Sequence, residues 1–472
     1  MNYLPLAALM LGLLSLPVKA ADWFDEFRAS ASPAQLYQFL HAMPKGGDLH
    51  NHLSGSGLPE WWYRLATDQQ LNGGYQYYTK TRINNCRAPG GDMFGFAPYL
   101  LLFRTIQESS YARLPACEKA EFQKLESLTR EQKTDWMNSL ALDKAHEGRD
   151  EFFQTHWQRL ADLTGNPHIM AELLYLNMQD FSKEGLIYLE TMEGTRFYQT
   201  PDGQPIEPDA VADIFRLRLQ QPDAIATGVT VRMQYYLLRF IADAEQDLEW
   251  IYHFVDRNRD LYTGINMVGR EDNDKGYPLR FLPVLRKLRR DIPGIPLAIH
   301  AGEVDEPNQH VRDTLLLGAE RIGHGVNLIS DPDTMLLMRN NQNLVEINLI
   351  SNMKLNYVNQ FKEHPFPEYL RFGIPVTLST DDRGMWLSNM TDEYFVAVSE
   401  FNLSWAEIRL LLSQSIEHAF VEAPVKAALR DTLNKRLNAF ERNFRAQGIS
   451  GLPQATPMAN GFICQHYGFC SQ

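Results

Sequence analysis

The side chains able to do chemistry begin with His50 and His52, in the stretch GGDLHNHLSGS, Gly46–Ser56. Residues i and i+2 of a strand point to one face. The two imidazoles therefore make half of a metal site, although a solvated pair has the same spacing. His300 in PLAIHAGE and Asp381 after PVTLST supply a third nitrogen and a carboxylate. Three imidazoles and one carboxylate suit Zn²⁺ and leave a position for water; Fe²⁺, Mn²⁺ or Co²⁺ fit the same donors. Glu303, three residues past His300, is placed to exchange protons with a substrate, and burial would raise its pKa. A glutamate near a helix start is the structural alternative. His324 lies between two glycines in RIGHGVN, where the backbone approaches a ligand closely. It would orient or deprotonate an activated water. Asp382 adjoins Asp381. If one ligates, the other turns away to bind substrate or water, and the two titrate as a pair.

These residues need elements that bring them together. Apolar runs of strand length alternate with amphipathic ones of helix length. The predicted strands are GGDLHNHL, GLIYLETM, TVRMQYYLLR, YTGINMVGRE, PLAIHAGE, RIGHGVNL, LVEINLIS and PVTLSTDD. Between them lie helical segments such as DAVADIFRLRLQQ, DAEQDLEWIYHFVDRN, FLPVLRKLRRD and HVRDTLLLG. Near-continuous apolar strands in a βα rhythm imply a parallel sheet. Eight units predict an α/β fold, a closed (β/α)₈ TIM barrel. The alternative is a doubly wound open sheet, but no GxGxxG follows the first strand. Reactive residues recur at strand C-termini: His50 and His52, Glu193, Gly269 with Glu271 and Asp272, His300 with Glu303, His324, Asn352, Asp381 and Asp382. In a barrel those ends meet at one mouth, where active sites sit. Residues 59–165 show no strand-like repetition and read as an insertion plus helices. Tyr75, Tyr77 and Tyr78 within it are expected to pack at the surface.

MPKGGDLHNHLSGS, HAGE, RIGHGVN and LSTDD, in that order, resemble the motifs of the adenosine deaminase family. GINMVGREDN, LISNMKL and the long insertion resemble its secreted, growth factor-like branch. The resemblance spans about residues 43–420. It implies a (β/α)₈ amidohydrolase with one Zn²⁺ that deaminates adenosine and 2'-deoxyadenosine by attack of metal-activated water at purine C6. The implied metal ligands are His50, His52, His300 and Asp381. Glu303 would protonate purine N1, His324 would hold or activate the water, Asp382 would bond N7, and the Gly269 N–H would meet N3. Ser54 stands where the intracellular branch has an aspartate that contacts the ribose, with Glu193 as a candidate substitute. Arg383 stands where a proline is common. A related hydrolase acting on another aminopurine or small amide, and a non-catalytic growth factor-like protein, are the competing readings. The HxE and PCxxC signature of the cytidine-type zinc deaminases is absent.

The remaining readings concern the whole chain. Its 472 residues are 44% hydrophobic and 22% charged, a globular composition. A net charge of -13 gives no support to a polyanion partner, so no nucleic acid is expected, although a local basic patch stays open; the small-molecule nucleoside substrate is what the resemblance implies. Residues 1–20 resemble a signal peptide cut after Ala20, although no Lys or Arg precedes the apolar run. The competing membrane anchor has too short a core. The chain is thus expected to be exported, periplasmic or secreted, with no membrane span after cleavage. Cys86, Cys117, Cys464 and Cys470 fit an oxidising compartment. Their positions favour 86–117 and 464–470, with other pairings or free thiols open. The expected layout is a leader (1–20), a helical arm (21–43), a barrel (44–445) with an insertion around 59–130, and a tail (446–472). The arm would cover its own barrel or a partner subunit in a homodimer.

Overall fold

The computed structural model describes residues 23–87, 99–273 and 275–470; the expected leader lies outside them. Eight parallel strands follow one another in sequence: β1 Gly47–His52, β2 Tyr188–Met192, β3 Thr230–Leu238, β4 Tyr262–Val268, β5 Leu297–Ala301, β6 Arg321–His324, β7 Leu344–Ile347 and β8 Val376–Leu378. Each pairs with the next. The ring closes just past the end of β8, where Asn51 bridges Asp381. The His52 N–H donates to the Asp381 carbonyl at 3.2 Å, and the Asp381 N–H to the His50 carbonyl at 2.9 Å. The expected (β/α)₈ barrel is present, and residues of the expected site make its final seam.

Strands β2, β5, β6, β7 and β8 are buried throughout. They are covered by helices outside and filled by side chains within, hence their largely apolar character. The barrel interior also holds charge. Arg321 Nη2 donates to Glu190 Oε2 at 2.6 Å, and Gln234 Nε2 donates to the same oxygen at 2.9 Å. Arg321 Nε and Glu346 Oε1 lie 2.6 Å apart, an ionic contact without the alignment of a good hydrogen bond. These charges are tolerable in the interior because they are paired.

The helical arm comprises Trp23–Ser30 and Pro33–Ala42, the second capped by a Ser32–Gln35 capping box with Pro33 at its first turn. It seats on its own chain. Phe39 lies 4.7 Å from Phe444 and 5.0 Å from Phe440, ring to ring, and Trp23 lies 5.2 Å from Trp405.

Two expectations for the insertion need correction. It contains a three-stranded antiparallel sheet, Tyr77–Lys80 between Thr105–Gln107 and Phe122–Lys124. Runs of three or four residues are too short to display a period of two. The tyrosines are buried rather than at the surface. Tyr77 Oη accepts from Asn166 Nδ2 at 2.9 Å, Tyr75 Oη donates to the Gln199 carbonyl, and Tyr78 stacks on Tyr111 at 3.9 Å. Disulfides join Cys86 to Cys117 and Cys464 to Cys470. Among the described residues no helix is long and apolar enough to cross a membrane.

Candidate metal centre

The strand ends bring His50, His52, His300, His324 and Asp381 to one place. His52 Nε2 lies 3.2 Å from His300 Nε2 and 3.2 Å from Asp381 Oδ1, and His50 Nε2 lies 3.4 Å from the same oxygen. A tetrahedron with metal–ligand bonds near 2.0–2.1 Å has edges of about 3.3 Å. His324 Nε2 stands further out, 4.0 Å from Asp381 Oδ2 and 3.8 Å from Glu303 Oε1. Two overlapping sets of possible ligands meet here, His50, His300, His324 and Asp381 in one, and His52, Asp381 and Asp382 in the other.

The backs of the rings are held by partners that sequence reading did not pick out as supports. His50 Nδ1 lies 2.7 Å from Glu346 Oε2, and His300 Nδ1 2.9 Å from Asn266 Oδ1. His324 Nδ1 receives the amide nitrogens of Asn352 at 2.9 Å and Asn348 at 3.3 Å. Ser351 Oγ donates to Asp381 Oδ2 at 2.6 Å. Asn266 and Glu346 sit in strands whose other residues are nearly all apolar, and a buried polar residue in such a run was the available signal. With their Nδ1 atoms so occupied, the imidazoles turn Nε2 inward. His50 Nε2 and His324 Nε2 are buried there without a hydrogen-bond partner, the mark of a site built for something more than the chain itself. Burial keeps His300 neutral and lowers His52. At His50 burial opposes charge, but the Asp381 and Glu346 carboxylates prevail and push the imidazole up to about 10. Two carboxylates converging on these nitrogens call for a cation. The cluster is thus a buried three-histidine, one-carboxylate arrangement poised for a divalent ion.

Backbone geometry serves the same end. His324 and Asp381 adopt φ of +65° and +54°, a left-handed conformation that non-glycine residues hold only where surrounding structure enforces it. Gly323 is obligatory, because a Cβ there would lie 2.6 Å from His50 Cε1. A Cβ on Gly55 would lie 1.6 Å from Asp382 Oδ1, so the loop after β1 makes room for that carboxylate.

Two acids beside the cluster are pushed toward their protonated forms. Burial, reinforced by the Asp381 charge, raises Glu303 to about 8. Burial, with Asp381 and Glu303 alongside, also raises Asp382 well above the usual range, and its Oδ1 has no partner. Glu271 carries the loop that presents Glu303, accepting from the Gly302 N–H at 3.1 Å and the Glu303 N–H at 2.9 Å. Gly269 has φ of +98° and its carbonyl accepts from Arg239, which also holds the His300 carbonyl at 2.6 Å.

The remaining expected residues lie differently. Glu193 accepts from the Gly194 N–H at 2.8 Å and faces Tyr198, Tyr235, Tyr236 and Tyr262 rather than any member of the cluster. Arg383 is fully buried, donating to Asn177 Oδ1 at 3.0 Å and to Asp180. It ties the last loop to helix Pro167–Lys183.

The adenosine deaminase family model matches residues 123–436. His50 and His52 precede that segment, so their place in the site rests on the geometry above. The adenosine deaminase of Serratia proteamaculans is 29% identical over 57% of this chain and 78% of its own length. The adenine deaminase of Chelativorans sp. is 29% identical over 59% of this chain and 82% of its own. An amidohydrolase structure from Burkholderia ambifaria, with bound Zn, superposes with a TM-score of 0.62 at 18% identity, covering 88% of this chain and 96% of the other.

Proposed function

This chain belongs to the adenosine deaminase family, and from that premise we propose that it hydrolyses adenosine and 2'-deoxyadenosine to the inosine forms and ammonia. Family membership and the buried cluster together support a metal-dependent deaminase-type hydrolysis of an aminopurine or related amide. The observation that carries this reading is the pair of buried acids, Glu303 and Asp382, beside the cluster, where burial and the Asp381 charge favour the proton. Purine N1 is bonded to C6 and N7 to the adjoining C5, and both are lone-pair acceptors. An ionised carboxylate cannot donate to them, and a protonated one can. Glu303 and Asp382 are both buried beside the Asp381 charge, which favours their protonated forms.

The distances favour His50, His52, His300 and Asp381 as the ligands of a zinc ion, with His324 set back. A divalent ion bound there lowers the pKa of water and supplies a nucleophile near neutral pH. The rest falls to the chain. Glu303 donates its proton to N1 and draws electron density from C6, which opens the ring to addition. Asp382 fixes the base by its bond to N7. His324 holds the incoming water by its Nε2 side. The amino group of the tetrahedral adduct takes up the proton lost by the water, ammonia leaves, and the C6 hydroxyl proton returns to Glu303 as the carbonyl forms.

The adenine deaminase relative favours a second reading, deamination of the free base. Ser54, in place of a ribose-binding aspartate, agrees with altered sugar recognition. We further propose export, supported by two disulfides, and placement in the secreted branch, supported by the arm and the insertion. Loss of the adenine absorbance band and release of ammonia from adenosine, with adenine untouched, would support the first reading. The reverse pattern would establish the second.

A further inference from the structure

His364 lies outside the metal cluster, between the turn Phe361–Glu363 and the helix Phe366–Phe372. It is buried, as are Asn352 and His324. The Phe366 backbone N–H donates to His364 Nδ1 at 3.1 Å. A backbone amide can only donate, so this Nδ1 carries the lone pair and the ring proton is on Nε2. That nitrogen lies 3.0 Å from Asn352 Oδ1, which must therefore accept. Asn352 then turns its NH₂ group to His324 Nδ1 at 2.9 Å, and Asn348 Nδ2 reaches the same atom at 3.3 Å. His324 Nδ1 is thus an acceptor too. Neutral His324 bears its proton on Nε2, the nitrogen that faces Glu303 and Asp381. One backbone amide sets the direction of the whole chain, and no member of it is exposed to water that could reset it.

We propose that His364 and Asn352 are positioning residues that lock His324 in its Nε2–H tautomer, so that His324 donates a hydrogen bond into the site. It neither takes a proton there nor ligates the ion. This removes the water-deprotonating role expected from the sequence. It also decides between the two overlapping ligand sets, because a nitrogen that carries a proton has no lone pair for a metal; His52 completes the ligands instead. The effect on turnover rests on the deaminase reading, while the tautomer does not.

The test is a histidine ¹⁵N–¹H correlation spectrum of the zinc-loaded protein, with His324 assigned by the signal lost in His324→Gln. The expected spectrum shows His324 and His364 each protonated at Nε2 and bare at Nδ1. A protonated Nδ1 on His324, or a metal-bound Nε2, overturns the proposal, and this measurement needs no folded variant of the relay. Asn352→Asp exchanges the donor amide for an acceptor. It is expected to move the His324 proton to Nδ1 and to lower kcat by about 10–100-fold, the range for lost supporting partners, with KM and bound zinc little changed. An unmoved proton in that variant also overturns it. His364→Gln keeps an N–H for Asn352 and is expected to retain most of kcat, whereas His364→Leu loses it. Equal kcat in these two counts against the lock. The spectrum is read without substrate, so failure of the deaminase reading and failure of the lock are separable.

Discussion

Glu303 and His52 test separate halves of the chemistry. Glu303→Gln keeps the shape and every metal donor but removes the proton. Metal content should stay at wild type while kcat falls by at least about 100-fold, the contribution of a positioned general acid. Its pKa, raised from the ordinary glutamate value to about 8 by burial and Asp381, fixes the sign of the pH dependence. The group is protonated and active through neutrality, and activity requiring that proton declines as pH rises through about 8. The kcat/KM profile of the wild type should show this alkaline limb, and the residual activity of Glu303→Gln should lack it. His52→Ala removes a ligand rather than an acid. Metal affinity, measured by chelator competition, should fall by more than about 100-fold, the upper range for losing a mere supporting partner, and activity should fall with it. The residues that face the site were legible because the sequence sets them at strand ends. Their supports were not. Glu346 and Asn266 reach His50 and His300 from other strands, a relation that no local spacing records.

At the scale of elements, all eight barrel strands were legible: most are rich in apolar residues because they are buried, and β1, GDLHNH, stands out by its paired histidines. The insertion's sheet was not, because its strands are three or four residues long and its stability comes from outside the run. One such contribution is the Cys86–Cys117 bond, which spans 31 positions. A loop of that length is worth about 3–4 kcal/mol through restriction of the unfolded chain. Replacing both cysteines with serine should lower the thermal midpoint and leave the metal site's affinity unchanged. An unaltered melting curve would mean the bond adds nothing to the insertion's stability. Arg383 shows the limit from the other side. In the sequence it is only a departure from a common proline. In the structure its guanidinium is buried against Asn177 and Asp180, so the residue that breaks the family pattern fastens the last loop to a helix.

For the whole molecule, the site and the fold are one construction. Asp381 closes the barrel through its backbone and joins the metal cluster through its side chain. Removing the ion should therefore loosen the seam. An ion present at about 1,000 times its Kd contributes roughly 4 kcal/mol, so chelation should lower the thermal midpoint by several degrees and zinc should restore it. The arm's place was the global feature the sequence left open, because an aromatic helix face matches a partner as well as its own chain; here it lies against Trp405, Phe440 and Phe444. The central claim is that this closed seam holds a metal-dependent aminopurine deaminase acting on adenosine. It is tested most directly by following ammonia release from adenosine, 2'-deoxyadenosine, adenine and AMP with zinc-loaded and chelated protein side by side. Ammonia from the two nucleosides, abolished by chelation and restored by zinc, is the predicted result. Turnover that survives complete metal removal, or zinc-loaded protein that leaves both nucleosides intact, would contradict it.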